Sequence, residues 1–167
     1  MIVSLFLLIV LAGCAAQEKP ITRPPPFPEG VLNARWGTPV EGVKQAIEAD
    51  GNRHFQDDTN KPPYALYASG TYLNAPATLS YYFTPKSKKL YRVDATFENP
   101  KIYESVKEHL VREFKNPAFS QANTDHWSWA DNSLVILQKD PSHVQVSYSS
   151  GPFLRLNHEE GAGLTGR

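Results

Sequence analysis

Cys14 is the only cysteine of this 167-residue chain, and its thiol is the side chain best placed for covalent chemistry. A predominantly apolar run, residues 2–12, precedes it. Such a run is about as long as a signal-peptide core and too short to cross a bilayer, which needs roughly 20 apolar residues. The small residues Ala12 and Gly13 leave room for a peptidase at the backbone. The pattern predicts a signal peptide over residues 1–13 and a sulfur nucleophile at the first position after cleavage.

The motif Leu11-Ala12-Gly13-Cys14 resembles the lipobox of bacterial lipoproteins. The resemblance implies cleavage between Gly13 and Cys14, a diacylglycerol on the sulfur of Cys14 and an acyl chain such as palmitate on its amino group. Two or three chains hold a protein on a membrane far more firmly than one. Ala15 and Ala16 stand where inner-membrane lipoproteins commonly carry Asp. The resemblance therefore implies the periplasmic side of the outer membrane, or the outer face of the plasma membrane in a host with one membrane.

The charge pattern of the N-terminus departs from that of an ordinary signal peptide, because no Lys or Arg precedes Glu18. Either the true start lies upstream of Met1, or the signal is atypical. Five prolines between positions 20 and 28 then favour an extended spacer. We predict a lipidated, proline-rich tether over 14–30, one domain over 31–156 and a flexible, glycine-containing tail over 157–167.

The overall charge is balanced, with 17 basic and 17 acidic residues. A dedicated nucleic-acid binder would carry a basic excess, so nucleic acid is not an expected partner. Lipidation of Cys14 would leave no cysteine for a disulfide, so the domain must rely on its hydrophobic core. No cofactor is expected other than the covalent lipid.

Residues that could support catalysis or bind metal do not fall into a known pattern. The histidines are scattered, at His54, His109, His126, His143 and His158, without the spacing of a zinc site. The acidic segment 57–60 lacks the spacing of a calcium loop, and 149–151 lacks the context of a hydrolase nucleophile. The sequence thus predicts no metal site and no catalytic residue.

Aromatic side chains are the stronger candidates for a binding surface. Tyr82 alternates with the apolar residues of its predicted strand, so it should face outward, where Tyr67 and Arg92 could complete an aromatic and cationic patch. Trp127 and Trp129 share one side of another strand. They are either core residues or, if exposed, a platform on which sugar rings could stack.

Two amphipathic helices and six strands must position these residues. The first helix should start at Thr38-Pro39, with Glu41 closing a capping box, and the second at Asn99-Pro100. Alternating or apolar runs predict strands over 64–73, 77–83, 91–97, 126–130, 134–139 and 143–149.

The resulting order is helix, three strands, helix, three strands, and an internal duplication near a 60-residue period is one interpretation of it. We predict an α+β fold in which two helices cover one face of an antiparallel sheet and the other face is free to bind. The start Trp36-Gly37-Thr38 with Glu41 and Val43 resembles small envelope lipoprotein domains. The layout is also similar to the outer-membrane assembly lipoproteins and the β-lactamase-inhibitory-protein architecture, which are non-catalytic protein binders.

The leading hypothesis is a lipid-anchored cell-envelope lipoprotein, not an enzyme, that serves as a protein-binding or assembly accessory module. One alternative is a periplasmic protein that binds a glycan or small amphiphile, with Trp127, Trp129 and Tyr82 as the platform. The other alternative is an envelope hydrolase that uses His126 or His143 with a nearby carboxylate. The position of the tryptophans distinguishes the first two hypotheses.

Overall fold

The structure, a computed structural model, describes residues 25–165, with side chains described as far as Gly161. The predicted signal peptide, the lipidation site Cys14 and the tether up to residue 24 lie outside the described residues.

Three helices and ten strands make up the described chain. The helices are α1 (Val40–Ala49), α2 (Tyr103–Phe114) and α3 (Gly151–Thr165), and a 3₁₀ turn (Pro100–Ile102) leads into α2. The strands are β1 (Gly30–Val31), β2 (Ala34–Arg35), β3 (Arg53–Asp57), β4 (Ala65–Tyr72), β5 (Ala75–Phe83), β6 (Leu90–Phe97), β7 (Phe119–Gln121), β8 (Thr124–Ser128), β9 (Leu134–Lys139) and β10 (Val144–Ser149).

Strands β3 to β10 form one antiparallel sheet in the order β3-β4-β5-β6-β10-β9-β8-β7, and β1 and β2 form a separate two-stranded sheet. A helix followed by a four-stranded meander occurs twice, as α1 with β3–β6 and as α2 with β7–β10. The two meanders join through their last strands, where Asp94 of β6 is paired with Ser147 of β10. Repetition of the topology thus places the first strand of each unit at an edge of the sheet.

The predicted α+β class and antiparallel sheet are confirmed, but the predicted order of elements is wrong. Each unit has four strands instead of three, and a third helix follows. The two-stranded sheet of β1 and β2 was not predicted. The strands of the large sheet that are missing from the prediction, β3 and β7, are short and polar, with the sequences Arg-His-Phe-Gln-Asp and Phe-Ser-Gln. Edge strands pair on one side only and are largely exposed to solvent. Strands β3 and β7 therefore lack the apolar alternation that is typical of a buried strand.

Helix α3 covers residues 151–165, where no helix was predicted and where a flexible tail was expected from residue 157. It begins directly after β10, and Leu154 N–H donates to the carbonyl of Ser150. Glu160 then accepts hydrogen bonds from the backbone N–H groups of Lys86 and Ser87 in the β5–β6 turn. Contacts with a turn distant in sequence hold the helix, and a local pattern cannot reveal them.

Helices α1 and α2 cover one face of the sheet, as predicted for the two helices. The buried side chains of α1 and α2 belong to one continuous core with alternate residues of the central strands. The helix residues in this core are Val43, Ala46, Ile47, Tyr103, Val106, Leu110 and Phe114. The sheet contributes, among others, a row of residues paired in register across five neighbouring strands: Ala68, Leu79, Ala95, Val146 and Leu137. Apolar burial on this scale supplies the main stabilising free energy of the domain.

The two helix starts differ from each other. Asn99 caps the 3₁₀ turn that leads into α2, since its side-chain oxygen accepts from Lys101 N–H at 3.0 Å, whereas Ile102, the N-cap of α2 itself, forms no side-chain hydrogen bond. Pro39 occupies the N-cap of α1 without a side-chain hydrogen bond, and Glu41 binds Lys44 at 2.9 Å. The capping box predicted for α1 is therefore wrong.

Candidate functional site

The sheet face opposite α1 and α2, here called the open face, carries the alternate residues of each strand. One row in register across it comprises Tyr67, Ser80, Asp94, Ser147, Ile136, His126 and Phe119. The same period of two that sends apolar residues to the core sends these side chains outward. The open face is thus polar and aromatic where the covered face is apolar.

Tyrosines surround one arginine on the open face. Tyr82 is paired with Arg92, and the guanidinium carbon lies 5.2 Å from the centre of the Tyr82 ring. Tyr91 sits at the β5–β6 irregularity, and the charge of Arg92 acts on its hydroxyl. Tyr67 is near Tyr82, and the exposed ring of Phe55 lies 6.4 Å from that of Tyr67. We call Phe55, Tyr67, Tyr82, Tyr91 and Arg92 the aromatic cluster.

A buried carboxylate fixes the arginine of the aromatic cluster. Arg92 Nε and Nη2 donate to the two oxygens of Asp94, at 2.7 Å each, and the Asp94 side chain is only 3% exposed. Gln145 Nε2 donates to the same carboxylate at 2.8 Å. Burial lowers the pKa of Arg92, but the hydrogen bonds and charge of Asp94, with contributions from Tyr82 and Tyr91, together raise it by more. Arg92 therefore remains charged in a fixed orientation.

The tyrosine hydroxyls of the cluster are hydrogen-bond donors at neutral pH. Burial raises the pKa of Tyr82, and the negative charge of Asp94 adds to the increase. Burial also raises the pKa of Tyr91. Both phenols stay protonated, so the cluster offers flat apolar rings with polar tips beside a cation.

The structure brings the predicted residues Tyr67, Tyr82 and Arg92 together, whereas Trp127 and Trp129 lie elsewhere. Trp127 is 2% exposed in the core, and its indole N–H donates to the carbonyl of Lys115 at 2.9 Å. Trp129 packs edge-on against Phe114, with ring centres 5.3 Å apart. Neither tryptophan contributes to the open face, because Trp127 faces the core and Trp129 follows the end of β8.

Trp129 instead binds the end of the predicted tether. Its indole N–H donates to the carbonyl of Pro25 at 2.6 Å, and the Trp36 indole donates to that of Pro28 at 2.7 Å. The ring of Phe27 lies between them, 5.0 Å from Trp129 and 5.7 Å from Trp36. Residues 25–28, here called the strap, are therefore packed onto the domain. This part of the predicted tether does not act as a free spacer.

A second buried carboxylate lies under α2. Asp125 accepts hydrogen bonds from the Tyr103 hydroxyl at 2.7 Å, from Lys107 Nζ at 3.0 Å and from the Ser120 hydroxyl. Burial raises the pKa of Asp125, but these hydrogen bonds lower it by more, so it lies below the ordinary 3.8. The site joins α2 to β7 and β8 and has a structural role.

The histidines considered for catalysis do not meet. His126 lies on β8, and His143 precedes β10, with β9 between these strands. His143 Nδ1 contacts the Ser142 hydroxyl at 2.7 Å, but Asp140 also accepts from that hydroxyl, at 2.9 Å. Asp140 Oδ1 also lies 3.5 Å from His143 Nδ1, so the carboxylate and the Ser142 hydroxyl face the same ring nitrogen. These contacts close a short exposed turn, and the carboxylate does not orient the imidazole from the opposite nitrogen as in a catalytic triad. Among the described residues, no three His, Cys, Asp or Glu side chains are grouped to hold a metal ion.

Sequence reasoning missed Asp94, Tyr91, Phe55 and Gln145. The available signal was Asp94 itself, an acidic residue between the apolar residues Val93 and Ala95 and two positions from Arg92. Residues two apart in a strand share a face, which predicts the ion pair. The positions of Tyr91 and Phe55 depend on strand irregularities that have no sequence signal here.

Comparison of the chain with protein-family models, curated proteins and solved structures found no significant match. None of the helices within residues 25–165 is both long enough and apolar enough to cross a membrane.

Proposed function

We propose that this protein is a non-catalytic, lipid-anchored lipoprotein of the cell envelope that binds another envelope protein through the open face of its sheet. The aromatic cluster around Arg92 is the observation that carries the proposal. Tyrosine and arginine are the residues enriched at the energetically important centres of protein interfaces.

The fixed geometry of Arg92 supports binding by this surface. An arginine that is immobilised before association loses less side-chain entropy when a partner docks. Asp94 binds the guanidinium of Arg92, and Gln145 in turn binds Asp94. The ring of Tyr82 packs against the same guanidinium. Exposed Phe55 extends the apolar area toward the edge strand β3.

The charges of the cluster indicate the chemistry of the partner. Asp94 compensates the charge of Arg92, so the partner does not need an acidic patch. It should instead offer apolar or aromatic groups to the rings, with carbonyl or carboxylate oxygens for the tyrosine hydroxyls. Association would then depend only weakly on salt, because few uncompensated charges would be brought together.

The lipid anchor would keep this surface close to a membrane. Pro25, where the strap begins, lies eleven positions after the predicted lipidation site Cys14. A chain of that length spans at most about 35–40 Å when fully extended. We propose the outer membrane, on its periplasmic side, for a host with two membranes.

The other two hypotheses receive less support. A glycan platform made of Trp127 and Trp129 is disfavoured, since one ring is buried and the other packs on the strap. A hydrolase would need a base oriented beside a nucleophile, and His126 and His143 lie on different parts of the sheet.

Quantitative co-purification from solubilised membranes tests the binding proposal. The full-length protein and its Tyr67→Ser/Tyr82→Ser variant are compared, and Glu108→Ala, an exposed change on α2, is the matched control. We expect at least one envelope protein to co-purify with both the wild type and the control. Its recovery with the double variant should fall by about tenfold or more, which corresponds to about 1.4 kcal/mol of binding free energy. The proposal is contradicted if every retained protein is recovered equally well with the double variant.

Cys14→Ser tests the anchor separately. Removal of the sulfur nucleophile should move the protein from the membrane fraction to the soluble fraction, because the acyl chains would no longer attach. A variant that stays as firmly membrane-bound as the wild type would contradict the anchor and leave the open-face proposal intact.

A further inference from the structure

A second feature of the open face is a row of neutral polar side chains beside the aromatic cluster. The row runs in register across seven strands and comprises Ser69, Thr78, Thr96, Gln145, Gln138, Thr124 and Gln121. Each position carries a hydroxyl or an amide. Neighbouring strands lie about 4.8 Å apart, so the row presents these groups at a regular spacing.

Two depressions follow the middle of the row and share Thr96. One, of about 230 Å³, includes Ser69, Thr78 and Glu98, and the other, of about 160 Å³, includes Gln138, Asp140, His143 and Gln145. The two depressions share Thr96 and are lined by residues of, or next to, β4, β5, β6, β10 and β9; we call the pair of depressions the trough. An extended ligand could lie in this trough across the strands.

The polar groups of the trough are available to a ligand. Within residues 25–165 the side chains of Ser69, Thr78, Thr96 and Gln138 form no hydrogen bond to another residue, unlike Gln145, whose Nε2 donates to Asp94 at 2.8 Å. Each free hydroxyl or amide can both donate and accept. The trough can therefore form several hydrogen bonds in either direction along its length.

The charges and the lining of the trough restrict the ligand class. The row carries no charge, and the ionisable walls Glu98 and Asp140 would repel an anionic polymer. A lipid tail would leave the hydroxyls and amides without partners, which costs free energy. Pro76, two residues before Thr78 on β5, adds a small apolar surface beside the polar row. Paired donors and acceptors with a little apolar surface match a chain of sugar rings.

We propose that this trough binds an uncharged glycan chain, with Thr96 and Gln138 as its central contacts and the amide oxygen of Gln145 as an acceptor, since Gln145 Nε2 already donates to Asp94 and Ser147. The trough adjoins the aromatic cluster, because Ser69 and Tyr67 are two residues apart on β4, about 7 Å, but its central contacts Thr96 and Gln138 are not members of the cluster. The inference does not rest on the proposed protein partner, and either can fail alone.

Titration of the full chain in detergent micelles, followed by NMR, tests the proposal. The probes are the β-1,4-linked hexamer of N-acetylglucosamine, maltohexaose and, for comparison, an anionic galacturonate hexamer and an extended Ser/Thr/Gly peptide. We expect a neutral hexamer to shift the side-chain amide signals of Gln138 and Gln145 saturably at millimolar concentration. The galacturonate hexamer and the peptide should not do so.

Thr96→Val/Gln138→Ala should weaken that binding by about tenfold or more, since it removes at least two hydrogen bonds. Tyr82→Ser is the control and should leave the binding unchanged. The proposal is overturned if neither neutral hexamer binds, if the peptide or the galacturonate hexamer binds the trough more tightly, or if the shifts fall on the aromatic cluster.

Discussion

Arg92 and Asp94, two residues apart on the same strand, are joined by two hydrogen bonds of 2.7 Å on the open face. The carboxylate is nearly inaccessible, whereas the guanidinium is 39% exposed. Asp94 is therefore an interior residue and Arg92 a surface residue of the same ion pair. It ties the orientation of a candidate binding residue to the junction of the two four-stranded units.

Asp94→Ala should destabilise the fold and disorder the open face. Loss of one partner of a buried pair leaves the other uncompensated, but Arg92 can regain water, so we expect a cost of about 1–3 kcal/mol in the free energy of unfolding. Urea unfolding followed by circular dichroism measures it. Glu108→Ala should stay within about 0.5 kcal/mol. Equal stability of the two variants would show that Asp94 does not hold Arg92.

Asp125→Ala should cost more than Asp94→Ala. Its side chain is fully buried and accepts from Tyr103, Lys107 and Ser120, so its loss leaves several donors without an acceptor. We expect a loss of about 3–5 kcal/mol in the free energy of unfolding. The same urea experiment measures it, and a change below about 1 kcal/mol would contradict the role given to this cluster.

The pH dependence of stability provides an independent check on Asp125. Its pKa in the folded protein lies below the ordinary value of 3.8, so its contribution is complete above pH 3.8 and is lost as the pH falls through the folded pKa. The difference in unfolding free energy between the wild type and Asp125→Asn should therefore narrow between about pH 5 and about pH 2. A difference that stays constant over this range would mean that the pKa of Asp125 is not lowered.

Phe27→Ala should release the strap from the domain. The ring of Phe27 contacts both Trp36 and Trp129, and its removal should expose both indoles to water. We expect a red shift of tryptophan fluorescence and a cost of about 1–3 kcal/mol, below that of a core phenylalanine because the site is only partly buried. Trp127 is buried in both proteins and provides a constant background. Unchanged emission would contradict the packing of the strap.

Much of the architecture could be predicted from local patterns. The strands β4, β5, β6, β9 and β10 follow directly from apolar periodicity, as do the core stripes of α1 and α2. Strand β8 was also predicted, with bounds shifted by two residues. The Asn99-Pro100 start of the second helix is a local signal of the same kind. These elements bury one face each, and burial leaves a periodic trace in the sequence.

The remaining elements depend on contacts that are distant in sequence. Edge strands β3 and β7 are partly exposed and so lack apolar alternation, and α3 is held by the β5–β6 turn through Glu160. Strand alternation predicted that Tyr82 faces outward. It did not predict that Asp94 is buried and bound to Arg92, which lies beside Tyr82. A site assembled by sheet register becomes visible only when the pairing of the strands is known.

The central claim, that the open face is the binding surface, is tested most directly by photo-crosslinking in the host cell. A benzophenone amino acid replaces Tyr67 on the open face in one full-length variant and Glu108 on α2 in another. We predict a discrete cross-linked product between the first variant and an envelope protein, and none from the second. The same product from both positions, or a product from Glu108 alone, would contradict the account.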